Sequence, residues 1–108
     1  MQVASIARIH GEAKVAVVPT LATEIHSDTE THLTEILRYE EGGALLRRTP
    51  APSSVGRHFW LELVVPGGDK ARALVVVTGR DAETTSVRIK HMWPKHRALW
   101  HELVSAQV

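Results

Sequence analysis

Seven histidines in 108 residues are the first side chains that could do chemistry. Imidazole is the commonest metal ligand and a ready general base near neutral pH. His91, His96 and His101 recur at intervals of five, which on a helix turns successive side chains about 140° apart. They cannot converge on one ion from an ideal helix. No His-Glu-x-x-His and no carboxylates at ligand spacing accompany them, and with no cysteine there is neither a thiolate ligand nor a disulfide. The histidines are therefore read as surface or capping residues, with no metal site. Ser53-Ser54 lies in a proline-rich turn, and no Gly-x-Ser-x-Gly or P-loop is present. Glu40 and Glu41 are adjacent, so on a strand end they point in different directions and make a poor acid–base pair. The expectation is a protein that is not an enzyme and carries no cofactor.

The length fits one domain with a core of its own. A net charge of +1 and a pI near 8.3 are too balanced to argue for a nucleic-acid partner. The basic residues are scattered; the tightest cluster, Arg47-Arg48 with Arg57, is read as a solvated strand end in preference to a phosphate patch. No stretch approaches the roughly 20 apolar residues of a membrane span. The opening MQVASIARIHGEAK has no continuous apolar run, so a cytoplasmic location without membrane insertion is expected.

The elements that position these side chains follow from periodicity. Residues 59–65 alternate cleanly, with Phe59, Leu61, Leu63 and Val65 on one face and Trp60, Glu62 and Val64 on the other, as a strand requires. Before them, Gly42 and Gly43 offer positive φ at low steric cost. Ala44 to Leu46 make a short buried strand, and Pro50 and Pro52 stiffen the crossing. Residues 1–11 read as an irregular arm. Residues 14–19 read as a strand ended by Pro19, with 21–25 continuing it beyond a kink. After a turn at 26–29, residues 31–39 read as a strand with Leu33 and Leu37 on one face and Ile36 on the other. A helix over 30–37 also fits their spacing; two threonines and the following glycines favour strand. Residues 66–69 form a strong turn, 71–78 return with both faces covered near Leu74 to Val77, and 86–91 alternate with Val87 and Ile89 inward. Pro94 then opens a helix whose stripe of Leu99, Trp100, Leu103 and Val104 suits packing on a barrel.

Trp93 and Trp100 flank and enter this helix. Trp60 shares its strand face with His58 and Glu62, so Trp60 and Glu62 are the candidate partner-binding residues.

This order of parts, EGGALLRRTPAP, then VGRHFWLELVVPGG, a hairpin and a short helix, resembles the PilZ domain, a bacterial barrel that commonly binds cyclic diguanylate. The resemblance implies an all-β, six-stranded antiparallel barrel with a C-terminal helix: an arm at 1–12, the barrel at 13–91 and the helix at 94–105. In nucleotide-binding members an Arg-x-x-x-Arg motif sits in the arm; the matching place here runs from Arg8 to Glu12, so its second arginine is a glutamate. The Asp/Asn-x-Ser-x-x-Gly motif aligns on 38–43, where only Gly43 matches, Arg38 replaces the acceptor and Glu40 the serine. Losing charge-assisted contacts costs about 1.5–3 kcal/mol each, and several together remove about three powers of ten in affinity. The resemblance therefore implies a regulatory or adaptor module acting on an unidentified protein partner in motility, pilus assembly or second-messenger output, without cyclic diguanylate. The alternative is a receptor that retains the nucleotide through Arg8, Arg38, Gly43, Arg47 and Arg48 in altered geometry.

Overall fold

Phe59, Leu61 and Leu63 are 3%, 0% and 1% exposed, so the period-two pattern has the parity read from the sequence. The computed structural model describes residues 5–9, 12–64 and 70–107, and of 5–9 and 12–17 the backbone alone; Val65 and the turn at 66–69 lie outside the described residues. The elements run β1 (Ser5–Ile9), β2 (Glu12–Val17), β3 (Leu21–Ile25), β4 (Thr31–Glu40), β5 (Gly43–Arg47), β6 (His58–Val64), β7 (Lys70–Arg80), β8 (Thr84–Met92) and α1 (Pro94–Ala106). Six strands close into an antiparallel barrel in the order β3-β4-β5-β8-β7-β6, with β3 hydrogen-bonded to both β4 and β6. Closure leaves none of these six strands with a free edge, so a partner must meet the barrel face-on.

The start of the chain departs from expectation. Residues 5–9 are not irregular: β1 pairs antiparallel with β2 in a separate two-stranded sheet. Residues 14–19 do not run on into the barrel either; β3 is its first strand. The break falls at Pro19, which has no N–H for a ladder. Its carbonyl instead accepts the Tyr39 hydroxyl at 2.6 Å, and the Thr20 carbonyl accepts Ile36 N–H at 2.6 Å. The barrel thus occupies 21–92 in place of 13–91, and the helix extends to Ala106.

Residues 31–40 are a strand paired on both sides, which excludes the helical alternative. Ile36 points inward, while Leu33 and Leu37 face out. A bulge between Ile36 and Arg38 shifts the phase, so that Tyr39 and not Arg38 enters the core. The glycine pair does not take positive φ; that conformation belongs to Gly56, at +94°. Gly43 is needed for a different reason: a Cβ there would collide with the carbonyl oxygen of Val87 across the β5–β8 ladder.

The helix closes the barrel end at which β4 finishes. Trp100 and Leu103 are 2% and 0% exposed, with Leu99 and Val104 packed beside them. Trp100 Nε1 donates to the Glu40 carbonyl at 2.7 Å, and its ring meets Tyr39 edge-on at 4.9 Å. The Gln107 amide accepts from Tyr39 N–H at 2.8 Å and donates to the Tyr39 carbonyl. Buried on all sides, the Tyr39 phenol is held well above its ordinary pKa.

Candidate functional site

β6 is flanked by β3 and β7, and its outward residues define the candidate contact face. Ile25 pairs with Trp60, Trp60 with Leu74 and Leu74 with His91, giving one row across four strands of the wall. The Arg72 guanidinium lies 5.9 Å from the centre of the Trp60 ring and binds Glu62 through two nitrogens, at 2.6 and 3.1 Å. Lys70 approaches the same carboxylate at 3.8 Å. Trp60 is half-buried and fixed from the side, a rigid aromatic platform with little rotamer freedom left to lose.

On the β3–β4 side of this platform the outer wall carries aliphatic side chains with Thr23 and Glu35 set between them. Leu21, Leu33, Leu37 and Val64 are 46%, 69%, 39% and 56% exposed, four of the six exposed large apolar side chains among the described residues. A half-buried strand should turn its aliphatics inward. β3 does the opposite: Ala22 and Glu24 point in, at 3% and 2% exposed, while Leu21 points out.

The inversion of β3 has a cause inside. Glu24 Oε1 accepts from His26 Nε2 at 2.9 Å and from the Thr49 hydroxyl at 3.2 Å. His26 Nδ1 accepts from Arg57 Nε at 3.2 Å, so the proton of the neutral ring sits on Nε2. The ring has no exposed surface and stacks on Phe59 at 4.6 Å. A carboxylate orienting an imidazole is also half of a hydrolytic triad, but here Arg57 occupies the second nitrogen and no substrate proton is in reach. The network ties the 26–30 turn to the 48–57 crossing. Its sequence signal is Glu24-x-His26, a pair that straddles the end of β3 and that alternation alone does not mark, because a glutamate is expected to face water.

Of the residues of the nucleotide alternative, Arg38 and Gly43 stand apart from the Arg47 and Arg48 side chains. Arg8 lies in β1, where the backbone alone is described. Arg38 pairs with Glu40 at 3.2 Å, Arg47 with Glu35 at 2.7 Å, and Arg48 donates to the Asp81 carbonyl at 3.0 Å. The β4–β5 register sets Arg38 opposite Leu45 near the Gly43 end, whereas Arg47 and Arg48 leave the other end. Arg57, grouped with Arg47-Arg48 in the sequence, is committed to His26 and lies 3.8 Å from Glu30. An open groove of about 530 Å³ does adjoin Arg47 and Arg48, with Thr49, Pro50, Ala82 and Glu83 completing its walls. Glu83 opposes an anion there. Among the described residues no set of three or more histidines or carboxylates is placed to hold a metal ion.

No family model, no curated protein and no solved structure matches this chain. No helix among the described residues is long and apolar enough to cross a membrane.

Proposed function

We propose that the chain is a non-catalytic regulatory or adaptor module of PilZ type that works through protein contacts, with Trp60 and Glu62 central to the contact face. The observation that carries this reading is the outward turn of Leu21, Leu33, Leu37 and Val64 on the strands that adjoin or carry the braced Trp60. The closed barrel has no edge to lend a partner, so a contact with the barrel itself falls on its outer wall. The PilZ assignment rests on the order of parts in the sequence; the six-stranded barrel and its C-terminal helix agree with it. By that assignment the module serves bacterial motility, pilus assembly or second-messenger output in the cytoplasm. The reading excludes cyclic diguanylate as a ligand on the ground of the sequence motifs, in which Glu12, Arg38 and Glu40 stand where an arginine, an acceptor and a serine are expected.

Two measurements test the reading together. Calorimetric titration with cyclic diguanylate is expected to show nothing tighter than about 1 mM. Trp60→Ala is expected to keep its fold while losing whatever protein the wild type retains from its native cell. A micromolar isotherm abolished by Arg47→Ala would restore the receptor reading.

A further inference from the structure

The net charge of +1 conceals an uneven distribution of charge along the chain. Residues 24–41 hold Glu24, Asp28, Glu30, Glu35, Glu40 and Glu41 against the single cation Arg38. Residues 84–101 hold Arg88, Lys90, Lys95 and Arg97 and no carboxylate. The strand order sets these groups apart: around the ring β8 stands three strands from β3, and β7 three from β4. Along the strands the two groups nevertheless meet at one end of the barrel: Glu40 pairs with Gly43 and Gly43 with Arg88, and Glu41 lies 2.7 Å from His101 of α1.

The basic wall is built and free. Arg88, Lys90, Lys95 and Arg97 are exposed and take part in no ion pair among the described residues. His96 Nδ1 accepts from the backbone N–H of Arg72 at 3.3 Å, which brings the first helical turn against β7. Trp93, 57% exposed with its ring edge-on to His91 at 5.3 Å, projects from the β8–α1 corner between the two basic groups. The position of Lys95, His96 and Arg97 opposes stability: no acidic residue occupies the first turn, where the helix dipole favours carboxylates and disfavours cations.

We infer that this wall, from Arg88 and Lys90 past Trp93 to Lys95 and Arg97, docks a carboxylate-rich protein segment carrying an apolar anchor for Trp93. The inference rests on the protein-contact reading above and adds the chemistry of the partner. Charge complementarity with these unpaired cations selects an anion. Single-stranded nucleic acid would need successive open rings, but Arg72 lies against Trp60 and leaves Trp93 as the one well-exposed ring. A lipid surface would need several inserting side chains; on this wall Trp93 is the one large apolar residue exposed.

The test is fluorescence anisotropy of the full chain with a labelled peptide of repeated Glu-Glu-Leu, and with its Gln-Gln-Leu counterpart. Binding of the glutamate peptide alone is expected, at least tenfold weaker at about 300 mM than at about 25 mM salt. Arg88→Glu with Lys90→Glu should weaken it at least tenfold further, and Trp93→Ala severalfold, at unchanged thermal midpoints. Arg47→Glu, on a different strand of the barrel, should leave it intact. Equal binding of both peptides, or binding unaffected by the Arg88 and Lys90 reversals, overturns the inference. So does tighter binding of an oligothymidylate of about twenty nucleotides, sedimentation with phosphatidylglycerol vesicles, or salt-sensitive self-association in place of peptide binding. If the peptide fails while Trp60→Ala still abolishes recovery of a native partner, the contact face stands and its acidic chemistry falls. If both fail, both readings fall.

Discussion

Two tryptophans carry opposite assignments. Trp100 is 2% exposed and its indole N–H is spent on the Glu40 carbonyl, so Trp100→Ala should cost about 3–5 kcal/mol, seen in chemical denaturation. Trp60 keeps one side in water and rests against Arg72, so its replacement should cost under about 1.5 kcal/mol, with cation–π contact the main loss. Equal destabilisation by both would place Trp60 in the core and remove it from the contact face. Gly43→Ala is a third test at this scale. Its methyl has no space before the Val87 carbonyl, so the β5–β8 ladder must shift, at about 1–3 kcal/mol or more. Sequence alone predicted a need for glycine at this point but not the reason. The spacing of residues in β8 reveals nothing of how near its backbone passes.

At the scale of elements, the parity of β6 was legible because every second residue is large and apolar and the intervening ones are not. β3 was not legible in this way. Its aliphatics point outward and Glu24 inward, a choice made by His26, Thr49 and Arg57, which lie 2, 25 and 33 residues along the chain. Glu24→Ala would leave the His26 N–H and the Thr49 hydroxyl without their acceptor, a loss of about 1–3 kcal/mol measurable as a lowered denaturation midpoint. The hairpin turn between β7 and β8 makes a separate prediction. Asp81 Oδ1 accepts the N–H groups of Glu83 and Thr84 at 2.8 Å each. These bonds hold its carboxyl below the usual range. Because the folded value is the lower one, the contribution to stability is present above the ordinary aspartate pKa and fades as pH falls through the folded value. Asp81→Asn should therefore narrow the gap in thermal midpoint between neutral and acidic pH, whereas an unchanged gap would show that the turn does not sense this carboxyl.

For the whole molecule, the barrel and its closing helix could be read from alternation, turn residues and the stripe of 99–104. The separate β1–β2 sheet could not, since the break at Pro19 resembles a kink until the Tyr39 hydroxyl is seen to bind the Pro19 carbonyl. The contact face was half visible: Trp60 and Glu62 stand out by sequence, but the leucines of β3 and β4 and the basic wall of β8 and α1 reach their places only through closure of the ring. The central claim is that this outer wall, and no nucleotide pocket, is where the protein works. Site-specific photo-crosslinking in the native cell tests it most directly, with a benzophenone side chain replacing Leu33, Trp60 or, as a control beside the open groove, Ala82. Positions 33 and 60 are expected to capture the same protein and position 82 none. Adducts of equal yield at all three positions, or at 82 alone, would contradict the account.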